Sequence, residues 1–404
     1  MILIQRLMLL INTIYVFLFL ISCTSKIEST EVTKVGAANT EAWMIKDVVK
    51  RDDLYPVLKN DTTIEFFCPV LKKQIKWHET YLFNPAAIVK DGKVYLLFRG
   101  EDKVGKYGGT SRIGIAESND GFHFTAQAAP VLYPDNDDFL AYEKDGGCED
   151  PRVVEAEDGT YFMTYTAFNG HVARLCVASS RDLHTWKKHG LAFGNAKQGI
   201  YSNLWSKSGA IICRQQNGQL IATKIHGKYW MYWGESDIHL ATSDDLINWE
   251  PVLKEIKTGK YFTSYKGNGH YNITYDSSAY IFKTALSTRM FRFDAGLVEP
   301  GPPAILTDQG IFFVYNAANS KSYGDSSLND GEYTVSQVLF DKNDPSSVIG
   351  RSSQYFLKSE NKNEVGGQLS NAAFVEGMVY FKDKWIIYYV MGEAHIGIAT
   401  CNKF

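Results

Sequence analysis

The sequence predicts an all-β fold, a five-bladed β-propeller, on three observations. A phrase recurs along the chain. It reads IGIAESNDGFHF from Ile113, LCVASSRDLHTW from Leu175, IHLATSDDLINW from Ile238 and IGIATCNKF from Ile396. Short apolar runs bounded by Gly, Asp or Asn lie between the copies and read as strands. Long helical periodicity is nearly absent after residue 40. Strand-only units at an even period signal a propeller, one unit to a blade. A β-sandwich with appendages is the alternative.

In chain order, the N-terminus comes first. Arg6 precedes an apolar run from Leu7 to Phe19, which ends in Leu20-Ile21-Ser22-Cys23. Small residues before a cysteine resemble the lipobox of bacterial lipoproteins, where the cysteine becomes the new N-terminus and carries lipid. A plain secretory signal or a single membrane helix is the alternative, but the run is short for a span. Residues 1–22 are therefore expected to be a signal peptide and Cys23 a lipid anchor. Residues 23–45 are expected to be a flexible tether and 46–404 the propeller. Lipid chains at ~0.8 kcal/mol per buried CH₂ would hold the body at the bacterial cell envelope, on a membrane.

Each blade follows one layout: a polar residue, a short apolar strand, a turn, and a second strand ending in polar groups. The second strands are KVYLLFRG from Lys93, TYFMTYTAF from Thr160, KYWMYWGE from Lys228, GIFFVYNAA from Gly310 and KWIIYYVMG from Lys384. The leading polar positions are Asn84, Glu149/Asp150, Lys207, Glu299 and Asn371; the trailing ones include Arg99, Glu101, Asp102, Glu235 and Glu393. A five-fold funnel would present these to its centre. YTVSQVLFDKNDPSSVIG from Tyr333 reads as a degenerate copy of the phrase, with Asp-Pro as its turn signal. The closing copy at the C-terminus suggests a last blade completed by strands from both chain ends.

Composition narrows the function. Net charge is −3 with acids and bases interspersed, so the basic stripe of a nucleic-acid binder is missing. Aromatic residues are 14% of the chain, which suits both strands and sugar-stacking faces. Cys68, Cys148, Cys176, Cys213 and Cys401 are scattered, without a C-x-x-C pair, so neither a zinc site nor any other metal is indicated. Most read as buried small apolar residues, with one disulfide possible. His226 and His239 read as ordinary strand residues. No cofactor is expected.

GGCEDPRVV at 146–154 sets two carboxylates beside a rigid proline and a cation, just ahead of a buried strand. An Asp–Pro turn with a surface salt bridge would account for it alone. The same layout in every blade favours a carboxylate aimed into the funnel. With FNPAA, FRGED, CEDPR, KSGAI and LVEPGPPA, over roughly residues 78–404, the chain resembles glycoside hydrolase family 130, five-bladed propellers acting on β-mannosides. The resemblance implies that Asp150 is the acid, acting through a sugar hydroxyl, with Glu149 and Arg152 in support. It implies that Asn84, Arg99, Asp102 and Lys207 bind the sugar whose bond is cleaved. Glu393 stands where the family usually has an aspartate. An apparent insertion over residues 254–290 would form a lid or wall over the pocket.

The family holds inverting phosphorylases and inverting hydrolases. A phosphorylase needs converging cations for phosphate. An inverting hydrolase needs a carboxylate base set roughly 6.5–9.5 Å from the acid. Glu235 and Glu299 match the two glutamates of the β-1,2-mannosidase branch, although Glu235 alone would pass as a surface turn acid. Two glutamates would repel a phosphate dianion. The expectation is thus an exo-acting inverting β-mannosidase on β-linked mannose oligosaccharides. Asp150 is its acid, and Glu235 or Glu299 activates water. A β-mannoside phosphorylase and a non-catalytic glycan-binding lipoprotein are the alternatives.

Overall fold

The computed structural model describes residues 42–104, 109–255, 260–265, 271–276, 280–360, 372–391 and 395–402. The fold is nearly all β, and the main strands pair antiparallel with their sequence neighbours in five groups. The first is β1 (Tyr81–Lys90), β2 (Lys93–Glu101) and β3 (Ser111–Ser118). The second is β4 (Gly147–Glu155), β5 (Tyr161–Phe168), β6 (Ala173–Ser180) and β7 (Lys187–Leu191). The third is β8 (Ala210–Gln216), β9 (Lys228–Trp233) and β10 (Ile238–Ser243). The fourth is β11 (Leu297–Pro300), β12 (Gly310–Ala318) and β13 (Tyr333–Phe340). The fifth is β14 (Phe374–Phe381), β15 (Lys384–Met391) and β16 (His395–Cys401). Val49–Lys50 pairs with β16, so strands from both chain ends share one sheet.

The recurring phrase is a strand followed by a capped turn. Ser118 Oγ donates to Asp120 and accepts the Gly121 N–H, while Asp120 accepts the Phe122 N–H. Ser180 with Asp182 and Ser243 with Asp245 repeat this. Each pair satisfies backbone donors that the turn would otherwise strand.

Two strands are buried on both faces: β1 is part-exposed only at its ends, and β12 is buried throughout. Such strands read as apolar runs rather than clean alternation. Much of the aromatic content locks neighbouring groups together. Tyr232 of β9 stacks on Phe313 and Phe340 of the fourth group, at 4.7 and 4.8 Å. Phe124, beyond β3, meets Tyr388 of β15 edge-on at 5.7 Å.

Several expectations need correction here. The folded body reaches further back than residue 46. Trp43 and Ile45 are buried, and Ile45 exchanges two hydrogen bonds with the Gln337 side chain. Apolar residues inside the supposed tether therefore pack rather than float. His226 sits at a turn with φ of 52°, not in a strand; His239 does lie in β10. Cys68, Cys148, Cys176, Cys213 and Cys401 are all buried and free, so none of them forms the disulfide considered possible. The inserted stretch holds two strand pairs, Leu253–Glu255 with Tyr280–Phe282 and Lys260–Tyr265 with Tyr271–Asp276. Phe282 roots it on Trp233, at 5.2 Å. Cys23, Asn371 and Glu393 lie outside the described residues.

Candidate active site

Three group-leading strands carry a polar residue followed by proline: Asn84-Pro85 in β1, Asp150-Pro151 in β4 and Glu299-Pro300 in β11. Proline cannot donate to the ladder. In β1 and β4 the register slips at these residues, and Asn84 and Asp150 take φ of 49° and 51°. A bulge of this kind bends the strand and re-aims a side chain. Lys207 and Ser208 precede β8, with Ser208 at φ of 57°.

The glycine pair before Glu149 has its own reason. Gly147 has φ of +106°, and a Cβ there would overlap the Ser111 carbonyl. Its absence lets β3 and β4 touch, with Ser111 bridging to Gly147. Ser111 Oγ also lies 2.8 Å from Arg99 Nε, which donates to it.

The re-aimed groups converge. Asn84 Nδ2 donates to Asp150 Oδ1 at 2.7 Å, and Arg99 Nη1 donates to the same oxygen at 3.1 Å. Arg99 Nη2 reaches Glu149 Oε1 at 3.0 Å and Glu101 Oε2 at 3.2 Å. The Arg99 guanidinium lies 4.5 Å over the Phe83 ring. Lys207 Nζ stands 3.9 Å from Asp150 Oδ2, 3.2 Å from Glu235 Oε2 and 3.6 Å from Glu299 Oε1. Ser208 Oγ donates to Glu299 Oε1. Asp150, Glu235 and Glu299, hundreds of atoms apart along the chain, thus share one ammonium. Asp150 and Glu299 are buried, whereas the Glu235 side chain is 32% exposed.

Burial shapes the electrostatics. It raises the Glu149 carboxyl to about 7; Arg99 opposes this and the Asp150 charge adds to it. Burial would raise Asp150 too, but Arg99, Lys207 and Arg152, with the Asn84 hydrogen bond, hold it below the usual carboxylate range. The two adjacent carboxyls are thus pushed in opposite directions, Glu149 towards its neutral form and Asp150 towards its charged form. Glu299 is raised by burial, against Lys207 and with Glu235. Burial works against the Lys207 charge, but Glu299, Glu235, Asp150 and Glu149 keep it firmly protonated.

Asp102, expected on the sugar, and Arg152, expected in support, turn their charges to partners inside the protein. Asp102 is fully buried; its carboxylate pairs with Arg112 at 2.7 Å and accepts the Val104 and Thr110 N–H groups. It holds the loop after β2 instead. Arg152 is buried as well, donating to the backbone carbonyls of Asp150, Pro300 and Gly301. Asn84, Arg99, Glu149 and Lys207 do join the cluster.

Three neighbours escaped the sequence reading. Ser208 lies inside the KSGAI stretch but was not singled out. Phe83 precedes Asn84 and read only as a strand residue. Tyr333 opens the degenerate copy. Burial and the Glu299 charge push its hydroxyl well above the ordinary tyrosine value, and its ring meets Phe374 at 5.7 Å. Position next to a polar bulge was the available signal for Phe83 and Ser208.

A family profile described as beta-1,4-mannooligosaccharide phosphorylase matches residues 49–403. The chain belongs to glycoside hydrolase family 130. Among curated family relatives, a 1,2-beta-oligomannan phosphorylase from Thermoanaerobacter sp. (strain X514) is 30% identical, over 82% of this chain and 94% of the relative. A solved glycosyl hydrolase from Bacteroides ovatus is 40% identical, covers 89% of this chain and 94% of its own, and superposes with a TM-score of 0.79. Another solved structure, with the same identity, coverage and TM-score, comes from work describing GH130 glycoside hydrolases that target beta-1,2 mannosidic linkages in Candida mannan. A beta-1,2-mannobiose phosphorylase from Listeria innocua shares the fold, at 20% identity, 88% and 97% coverage and a TM-score of 0.61.

Proposed function

We propose that this family 130 chain is an inverting, exo-acting β-mannosidase that hydrolyses β-1,2-mannosides. The observation that carries this reading is that Glu235 and Glu299 share the Lys207 ammonium with Asp150. An incoming phosphate dianion would settle beside two glutamates. Each unit pair of like charges at 4 Å costs about 4 kcal/mol at an effective dielectric of 20. A neutral water meets no such barrier.

The reaction is a single displacement. Glu149 holds the proton near neutrality, and Asp150 takes that proton up and passes it through a sugar hydroxyl to the leaving oxygen. Glu235, the more open glutamate, takes a proton from water, which attacks the anomeric carbon from the opposite face. Glu299, fixed by Ser208, orients that water together with Lys207. The Asp150 and Glu235 oxygens, both on Lys207, are at most about 7 Å apart. That ceiling meets only the lower end of the roughly 6.5–9.5 Å range of inverting pairs, and the inverting outcome rests on the family membership rather than on this distance. Asn84 and Arg99 hold Asp150 and the sugar hydroxyls, and Phe83 offers an apolar face.

The five strand groups are taken as blades of a five-bladed propeller, the last completed by Val49–Lys50. Residues 1–22 are taken as a removable signal and Cys23 as the lipid anchor to the cell envelope. Loss of membrane association in a Cys23→Ala protein would support the anchor; unchanged association would count against it.

A second reading, mannoside phosphorolysis, is favoured by the curated relatives, which are named phosphorylases. Incubation with β-1,2- and β-1,4-mannobiose, with and without phosphate, separates the two. Free mannose from the β-1,2 substrate in phosphate-free buffer is the expected result. Strict phosphate dependence with mannose 1-phosphate as product would overturn hydrolysis.

A further inference from the structure

Asn84, Asp150, Ser208 and Glu299 open four of the strand groups, and the fifth group has a counterpart that the reaction described above leaves unused. The register of β14 slips between Val375 and Gly377, so Glu376 is the extra residue of a bulge. The bulge is held in place from β12: Asn316 Nδ2 donates to the Val375 carbonyl at 3.0 Å, and the Val375 N–H donates to Asn316 Oδ1 at 2.8 Å. Asn316 in turn pairs in register with Glu299.

Glu376 is fully buried, and neither of its carboxylate oxygens makes a hydrogen bond. Oε1 stands 3.1 Å from Arg152 Nη2. Arg152 is the link between two strands of the site. Its Nη1 donates to the Asp150 carbonyl at 3.1 Å, its Nη2 to the Pro300 carbonyl at 2.7 Å and its Nε to the Gly301 carbonyl at 3.1 Å. One guanidinium therefore ties the backbone of Asp150 to that of the residues just after Glu299. A guanidinium buried this deeply needs a counter-charge or dipole. Three carbonyls supply part of it, and Glu376 adds an oxygen dipole from the third strand, since burial pushes its carboxyl well above the usual carboxylate range even beside Arg152. The charged groups around Glu376 are Arg152 and Asp150 of β4, Glu299 of β11 and Lys207 ahead of β8.

Building on the active-site reading above, we infer that Glu376 is a positioning residue: by holding Arg152 between β4 and β11 it sets the spacing of Asp150 and Glu299 across the cleft. It touches no reacting atom. A shift of about 1 Å in that spacing is enough to cost on the order of 10²-fold in rate.

The test compares Glu376→Met with Glu376→Gln in the full-length folded domain, using β-1,2-mannobiose. Met keeps the volume and removes the oxygen beside Arg152; Gln keeps both volume and an oxygen dipole. Glu376→Met is expected to lose at least about tenfold in kcat with KM within about threefold of wild type, and Glu376→Gln to recover kcat to within about threefold. A folded Glu376→Met protein with wild-type kcat would overturn the inference, as would a Glu376→Gln protein as impaired as the Met variant. If the Met variant does not fold, Glu376→Asp takes its place, since the shorter chain draws the carboxylate back from Arg152. It should show the same kcat loss, and wild-type kcat there would equally overturn the inference. Wild-type turnover is measured first and judges the active-site reading by itself. If that turnover proves phosphorolytic, the same variant ratios measured in phosphate still decide the role of Glu376.

Discussion

At the scale of single residues, the two neighbouring acids of the CEDPR stretch have opposite environments. Asp150 receives Asn84 and Arg99 and faces Lys207, so it favours the charged form. Glu149 shares Arg99 but is raised to about 7, chiefly by burial. Near neutrality the proton of the pair is therefore on Glu149, next to a charged Asp150. Asp150→Asn removes the group that delivers it, and kcat for mannoside cleavage should fall by about 10²–10⁴-fold. Unchanged turnover would dismiss the assignment. The pH dependence follows from the same pair. Activity needs the proton, so kcat/KM should decline as pH rises through about 7. In Glu149→Gln the low-lying Asp150 is left alone, and the alkaline limb should move to lower pH. A pH–rate profile of that variant superposing on wild type would contradict this. These two acids stood out in the sequence because the same layout, a polar residue ahead of an apolar strand, recurs along the chain. Asp102 was expected on the sugar and Arg152 in support of the carboxylates, and both are held by partners inside the protein. A charged residue in a motif looks the same in sequence whether it meets a ligand or a buried partner.

At the scale of elements, the strand boundaries followed the apolar runs closely. KVYLLFRG became β2 at Lys93–Glu101, and KWIIYYVMG became β15 at Lys384–Met391. The repeated phrase was legible because its serine and aspartate do the same local job each time, capping a turn with bonds two or three residues long. The bulges were not legible. Each depends on a register with a partner strand, and Glu376 looked like one more strand residue until β14 was paired with β15. Gly147 shows how tightly a bulged strand is placed. Gly147→Ala forces a Cβ into the Ser111 carbonyl at a φ that alanine resists, which should cost more than about 1 kcal/mol. It should also weaken activity, because Ser111 supports Arg99. Denaturation midpoints and turnover measured together check this; a variant as stable and active as wild type would show that β3 and β4 tolerate separation.

At the scale of the whole molecule, the N-terminal segment acts as a strap. Trp43 packs against Phe312 of β12, Ile45 bonds to Gln337 of β13, and Val49–Lys50 pairs with β16. The segment therefore joins the fourth group to the fifth. Trp43→Ala should destabilise the protein by about 3–5 kcal/mol in chemical denaturation, with the active-site residues untouched. A loss below about 1 kcal/mol would mean that the strap is incidental. The sequence by itself determined the all-β class, the strand segments, the capped turns and the identity of most acids and bases in the site. Those properties rest on local periodicity and on side chains acting a few residues away. Only the tertiary structure decided that Asp150, Glu235 and Glu299 meet on Lys207, that Arg152 and Asp102 serve the interior, and that Glu376 stands behind Arg152. Such pairings join residues from different strands, and their energy comes from burying charge against charge, which no local pattern in the chain encodes.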